Sequence, residues 1–261
     1  MASPETYFKN ATQKQPALYY FGWVNLIAAV FMLVLYFADP RMVAGEYVWH
    51  KPIKFAISIW IAAWTFALIF PLHPRERLFR KLGFWMMLML ALEIILITLQ
   101  AARGVRSHFN VTTWYDGMIF NIMGAGITTH TVLVGIAAWQ FFKLKSTADL
   151  HPGLLWGVRL GLLFFVVFSM EGFVMAARLA HTVKLPDGGP GLPITNWSRQ
   201  GGDLRVAHFF GLHSLQLLPV LGILWNRLAP QRAAFATIAT GLLYAAFCVF
   251  LFVRALDGHL F

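Results

Sequence analysis

FWMMLMLALEIILITL, residues 84–99, contains a single ionisable group, Glu93. A run this apolar and this long has no place on a water-facing surface, and it is one of seven. Windows of about 20 apolar residues, the length an α-helix needs to cross the hydrocarbon of a bilayer, fall at 18–38, 52–71, 83–102, 117–142, 154–180, 206–227 and 233–255. A membrane β-barrel would show short segments of alternating polarity, whereas these runs are continuous. The expected fold is therefore all-α: a polytopic membrane protein, one integral membrane domain over 1–261, built as a seven-transmembrane-helix bundle. The first run is longer than a signal-peptide core and lacks a small-residue cleavage site near Asp39-Pro40, so it reads as a retained helix.

Composition excludes the main alternative. With 59% hydrophobic and 12% charged residues, the chain has too little polar surface for a soluble globule of this size. The net charge of +10 comes mostly from Lys and Arg at the ends of the apolar runs, where they meet lipid head groups. The partner this implies is the lipid bilayer and not nucleic acid. One cysteine, Cys248, rules out a disulfide framework and a thiolate metal cage.

Orientation follows the basic residues of the loops. Ten Lys and Arg lie at the N-terminus and around 72–82, 143–153 and 228–232, against eight in 39–51, 103–116, 181–205 and the C-terminus. That difference places the N-terminus in the cytoplasm and the C-terminus outside.

Polar residues gather toward the second, outer face. On the sixth helix Arg205, His208, His213 and Gln216 fall within about 140° of one another at 100° per residue, so one side is polar for three turns. Lipid cannot solvate that side, because an unpaired polar group in hydrocarbon costs several kcal/mol. Pro219 removes a backbone hydrogen bond just beyond it. Glu171 lies on the fifth helix with Met175 and Arg178 at i+4 and i+7, and His181 stands at its exit. Glu93 on the third helix counts to a similar depth, about nine residues from the outer end. His50, Lys51, Lys54 and Ser58 open the second helix, where Lys54 is an available counter-charge. The expected pocket lies among the second, third, fifth and sixth helices and opens outward only. A channel would need polar lining through to both sides.

Each group also has a structural explanation. Lys and Arg near the interface, such as Lys54 and Arg178, most often snorkel to head groups, and His208 alone is more often an interfacial histidine than a ligand. Glu93 and Glu171 differ, because carboxyl groups at that depth are rare and usually functional. The loop 181–205 carries PDGGPGLP at 186–193, whose prolines and glycines favour an ordered path. It serves either as a tightly turned exterior loop or as a lid.

Four functions compete. The first is a haem b or transition-metal redox protein with an electron-transfer partner: His50, His108, His181, His208 and His213 all lie near the outer face, and His208 with His213 are the candidate metal ligands. Gln216, Arg178, Arg205 and Lys54 would line the same pocket, with Glu93 and Glu171 as its acid–base pair. The second, a desaturase-type enzyme, finds the HxxxxH spacing at His208 and His213 but lacks the HxxHH boxes. The third is a proton-coupled carrier of a small anionic or amphipathic molecule, with Glu93 and Glu171 exchanging protons while Lys54, Arg178 and Arg205 hold the substrate. Carriers are commonly built from repeated halves, and the sequence shows no repeat. The fourth, a retinal receptor of the microbial type, lacks a lysine in the seventh helix. The redox protein is the leading expectation and the carrier the alternative.

HKPIKFAIS at 50–58, PDGGPGLPITNW at 186–197 and GDLRVAHFFGLHSLQLLP at 202–219 together resemble a group of uncharacterised bacterial multi-pass membrane proteins. The resemblance covers the second and sixth helices and the loop before the sixth. It brings no activity; it implies a bacterial inner-membrane location and one shared site.

Overall fold

The computed structural model describes residues 4–146 and 150–260. Residues 147–149, in the loop expected at 143–153, lie outside the described residues. Seven helical segments are long and apolar enough to cross a membrane: Pro16–Ala38, His50–Leu72, Glu76–Arg103, Trp114–Lys143, Pro152–Arg178, Leu204–Leu228 and Pro230–Leu256. The protein is all-α and multi-pass, and its spans carry large apolar side chains on their outer surfaces, among them Ile27, Phe31, Phe37, Phe235 and Leu243.

The chain divides into two compact units, Met1–Leu133 and Val134–Phe261. The first holds helices α1 (Pro4–Lys14), α2 (Pro16–Ala38), α3 (His50–Ile69), α4 (Glu76–Arg103) and the first part of α5 (Trp114–Lys143). The second holds the end of α5, then α6 (Pro152–Ser169), α7 (Glu171–Arg178), α8 (Leu204–Leu228) and α9 (Ala233–Leu256).

In the first unit, Pro16 starts α2 at a position where the missing N–H costs nothing. The helix ends at Asp39-Pro40, because the residue before proline is driven out of the α region. A short hairpin follows, β1 (Met42–Val43) paired antiparallel with β2 (Glu46–Tyr47). Its turn residues Ala44 and Gly45 both have positive φ, 50° and 77°, as the two-residue turn that matches strand twist requires. After α3 a 3-10 turn, Phe70–Leu72, reverses the chain. α4 closes on Gly104 at φ 71°, with Val105 N–H donating to Gln100 O at 3.1 Å, the left-handed helix stop that glycine permits. Ala29, Ala56, Ile59, Leu90 and Ile94 form the core of these three spans. Toward the other end α2 and α3 meet through aromatic rings. Trp64 stacks on Tyr19 at 5.7 Å, lies edge-on to Trp23 at 5.0 Å, and donates its Nε1–H to Tyr19 O at 3.2 Å.

The second unit is packed differently. Gly153, Gly157 and Gly161, one turn apart on α6, lie against the α8 backbone: a Cβ on Gly153 would strike Gly222 O, one on Gly157 would strike Leu218 O and Pro219 Cα, and one on Gly161 would crowd Ser214 O. In lipid there is no hydrophobic gain from bringing helices together, so close backbone approach through small residues supplies the attraction. Ser214 Oγ adds a hydrogen bond to Gly161 O at 3.2 Å, and Asn226 Oδ1 accepts Gly153 N–H at 3.0 Å. α8 continues unbroken through Pro219. α9 completes the core, with Leu160, Phe164, Phe168, Leu218 and Cys248 clustered together.

Three features depart from expectation. α1 precedes the first span and is too polar to register as a membrane run. α4 begins at Glu76, seven residues before the expected 83, because the helix continues through the charged stretch that hydropathy excludes. The fifth run, expected as one helix over 154–180, is one span over Pro152–Arg178, but its ladder of four-residue hydrogen bonds breaks at Met170, whose backbone keeps helical angles (φ −64°, ψ −22°).

The order of elements repeats although the sequence shows no repeat. Each unit contains a span, a loop with a two-stranded sheet, a second span, a proline-containing 3-10 turn and a third span. Both of these sheet-bearing loops are pinned by the same device. Asp39 accepts the backbone N–H and guanidinium of Arg41, and Asp203 accepts those of Arg205.

Candidate functional site

Glu93 lies ten residues before the end of α4 at Arg103 and is only 4% exposed. Its Oε1 is 3.2 Å from His108 Nε2, in the loop that follows α4. The other ring nitrogen, His108 Nδ1, is 3.0 Å from Lys51 Nζ and 3.1 Å from Ser107 Oγ. An ammonium can only donate, so Nδ1 accepts and Nε2 carries the proton that is donated to Glu93. Burial holds His108 below its ordinary value; Lys51 pushes the same way, and Glu93 pulls against both. The imidazole is thus the neutral link in a series running ammonium, imidazole, carboxylate. Phe55, Phe109 and Phe120 pack around the ring. Glu93 Oε2 is buried with no hydrogen-bond partner among the described residues.

A second group sits at the start of α3. Glu46, in β2, brings Oε2 to 2.6 Å from His50 Nδ1 and 3.1 Å from Lys54 Nζ. The first turn of α3 therefore spreads three basic side chains, with Lys51 directed to His108 and with His50 and Lys54 on Glu46. A third group lies where α4 ends and α5 begins, where Asp116 accepts from Gln100 Nε2 at 3.1 Å and from Arg103 at 2.6 Å. Arg41 reaches Ala102 O at 3.1 Å, and Trp49 donates to Asp39 at 2.9 Å. Arg41 before all else, and Trp49 with it, holds the Asp39 carboxyl well below the usual range.

In the second unit, Glu171 opens α7 and is buried, with Oε2 lacking a hydrogen-bond partner among the described residues. It makes no ion pair there, so His213 and Arg178 are not its counter-charges; Arg178 is exposed at the end of α7. His208 Nδ1 is 3.0 Å from Phe168 O, and His213 Nδ1 is 3.1 Å from Gln216 Oε1. The two histidines stand five residues apart on α8, about 140° around it, and each is held by its own acceptor. Among the described residues no group of three or more His, Cys, Asp and Glu is arranged to hold a metal ion.

His181 and Arg205 serve the loop. His181 Nδ1 lies 3.4 Å from Asp187 and 3.7 Å from Asp203. Asp187 also accepts the backbone N–H groups of His181 and Thr182. Burial works to raise the Asp203 carboxyl, but the hydrogen bonds and charge of Arg205, the His181 charge and the Ser198 N–H outweigh it, so the carboxyl sits below its ordinary value. With β3 (Thr182–Val183) paired to β4 (Gly202–Asp203), the loop 181–205 is a pinned, folded segment of this unit.

Sequence reasoning placed Glu93, Lys54, His50 and Glu171 among the functional groups but did not single out His108, Lys51 or Glu46 as their partners. The available signal was the position of His108, five residues past Arg103 in the loop leaving Glu93's own helix. Comparison with family models, with curated proteins and with solved structures returned no match.

Proposed function

We propose that the protein is a proton-coupled carrier of a small anionic or amphipathic molecule in the bacterial inner membrane, with its N-terminus in the cytoplasm. The observation that carries this reading is the Lys51–His108–Glu93 series. Lys51 can pass a proton to His108 Nδ1 while the Nε2 proton passes to Glu93. Lys51 then stands as the neutral amine, Glu93 as the neutral acid, and the imidazole has exchanged tautomers without gaining charge. Solvent at the outer end recharges Lys51. An anion arriving beside Lys51, Lys54 and His50 would stabilise their charged forms, and so couple its binding to the position of the proton.

The repeated order of three spans supports the same reading. With each span crossing once, the first span of each unit leaves from the same side, the pattern of carriers made of parallel repeats. The location and orientation are supported by the motif resemblance and by the ten-to-eight distribution of basic residues.

The test is proton movement into proteoliposomes that enclose a pH-sensitive dye, driven by gradients of succinate, phosphate or a short alkylsulfonate. At least one gradient should acidify the lumen, and Lys51→Met or Glu93→Gln should abolish the signal. A His108→Ala protein that moves protons at the wild-type rate would overturn the relay.

A second reading rests on the histidines of α8. His208 and His213 each have Nδ1 on an oxygen acceptor, the arrangement that orients Nε2 toward a haem or metal. A Soret band in the purified protein that His213→Ala removes would put a haem redox role ahead of the carrier.

A further inference from the structure

The fifth span loses its regular hydrogen-bond ladder at Met170, and the relay in the first unit uses no group there. Met170 N–H donates to Val167 O at 3.2 Å and Phe173 N–H to Met170 O at 3.0 Å, so the chain passes the break on three-residue bonds. The Phe168 carbonyl accepts from His208 Nδ1 at 3.0 Å, which requires that nitrogen to carry the proton. On the far side of the break stands Glu171, 6% exposed, with Oε2 buried and without a hydrogen-bond partner among the described residues.

The titratable groups around it can be named by element. From α8 comes His208, whose Cε1 would lie 3.8 Å from a Cβ on Gly172. From α9 comes Cys248, close enough to interact with the Glu171 charge. Beyond it lies Tyr244, whose hydroxyl is committed to Phe210 O at 2.7 Å. The apolar cluster of Phe164, Phe168 and Cys248 fills the same region. A carboxylate here has a thiol within range of its charge and a ring N–H already in use beside Gly172, but no ion-pair partner among the described residues.

We propose that Glu171 is the cation-binding group of the second unit, taking one monovalent cation, a proton or Na⁺, at the break in the fifth span. One carboxylate among neutral neighbours matches a single positive charge; a divalent ion would need further anionic ligands. A buried ionisable group within a membrane span, without a partner among the described residues, has no role in packing to explain it, and such groups mark ion and proton pathways. The proposal deepens the carrier reading and rests on it for the purpose of the ion, but the site can be tested without transport.

The experiment is labelling of the intact wild-type protein with dicyclohexylcarbodiimide, which modifies protonated carboxyl groups in apolar surroundings, with the modified residue read by peptide mass spectrometry. Samples span pH 5 to 8 in choline chloride or in NaCl. Modification of Glu171 that rises as pH falls in both salts identifies the proton as its ligand. A several-fold protection by NaCl over choline at one pH identifies Na⁺. Modification at one rate at every pH and in both salts would overturn the proposal. So would a Glu171 that is untouched in the folded protein but labelled after unfolding in SDS, because the group would then be sealed packing that exchanges with nothing.

Discussion

The two units carry the same succession of elements but are held together by different means. In the first, α2 and α3 meet through Trp64 and its neighbouring rings, whereas in the second, α6 lies backbone against backbone on α8 through three glycines. Their buried carboxyl groups differ in the same sense. Glu93 is paired with an imidazole and, beyond it, an ammonium; Glu171 is paired with neither among the described residues. Side-chain packing leaves room for adjustment, and backbone packing does not. The unit with adjustable contacts is also the one in which an ammonium, an imidazole and a carboxyl group stand in hydrogen-bonding series.

The contrast is tested most severely at the glycines. Gly157→Leu should cost about 3 kcal/mol or more, because the atoms in the way, Leu218 O and Pro219 Cα, are backbone and cannot rotate aside. Gly22→Leu on α2 meets only the edge of the Trp64 ring, and its cost should be smaller. Unfolding of the purified variants in mixed detergent and SDS gives both values, and the reverse order would end the comparison.

The carboxyl groups come next. Glu93→Leu strips His108 of the acceptor for its Nε2–H and should cost about 1–3 kcal/mol. Glu171→Leu removes a buried group that no basic side chain among the described residues pairs with, and should leave stability within about 0.5 kcal/mol of wild type or raise it. The same unfolding assay reads both. Equal losses would mean that Glu171 has a partner as strong as that of Glu93.

The smallest expected effect is with pH. The fold holds the neutral His108 ring, so protons bind the unfolded chain first, and the first unit should lose stability as pH falls below about 6.5. His108→Gln should flatten that slope. In the second unit the Asp203 carboxyl is held below its ordinary value, so its contribution is present above about pH 4 and is lost as pH falls further. Amide hydrogen exchange should show 182–183 and 202–203 protected at pH 5.5, where the loop at 108 is already loosening. Loss of protection in both segments at one pH would erase the distinction.

The seven spans were legible because hydrocarbon thickness imposes a length and apolar side chains announce it. The break in the fifth was not. FFVVFSMEGFVM reads as continuous, with no proline in it, and the carbonyl at the break is taken by His208, forty residues later in the chain. The early start of α4 was hidden for the opposite reason: a charged helical turn looks like a loop to any measure of hydropathy. At the site, the depth of Glu93 could be counted along one helix, but its pairing with His108, and that of His108 with Lys51, depend on how a loop folds back over two helices. The repeated order of elements left little trace in the residues beyond the Asp-x-Arg pairs at 39–41 and 203–205, since a three-span unit can be closed by aromatic rings or by glycines equally well.

The bond from Asn226 to Gly153 spans 73 residues of sequence. A ribosome working at about 5–20 residues per second needs roughly 4–15 s to make the intervening chain. Throughout that interval the first turn of α6 is in the translocon or the bilayer with its leading N–H uncapped and its glycine face turned to lipid. The second unit can therefore close only after its second span has been synthesised almost to the end. A chain stopped before Asn226 would present to membrane proteases an α6 that has inserted but has nothing to hold it.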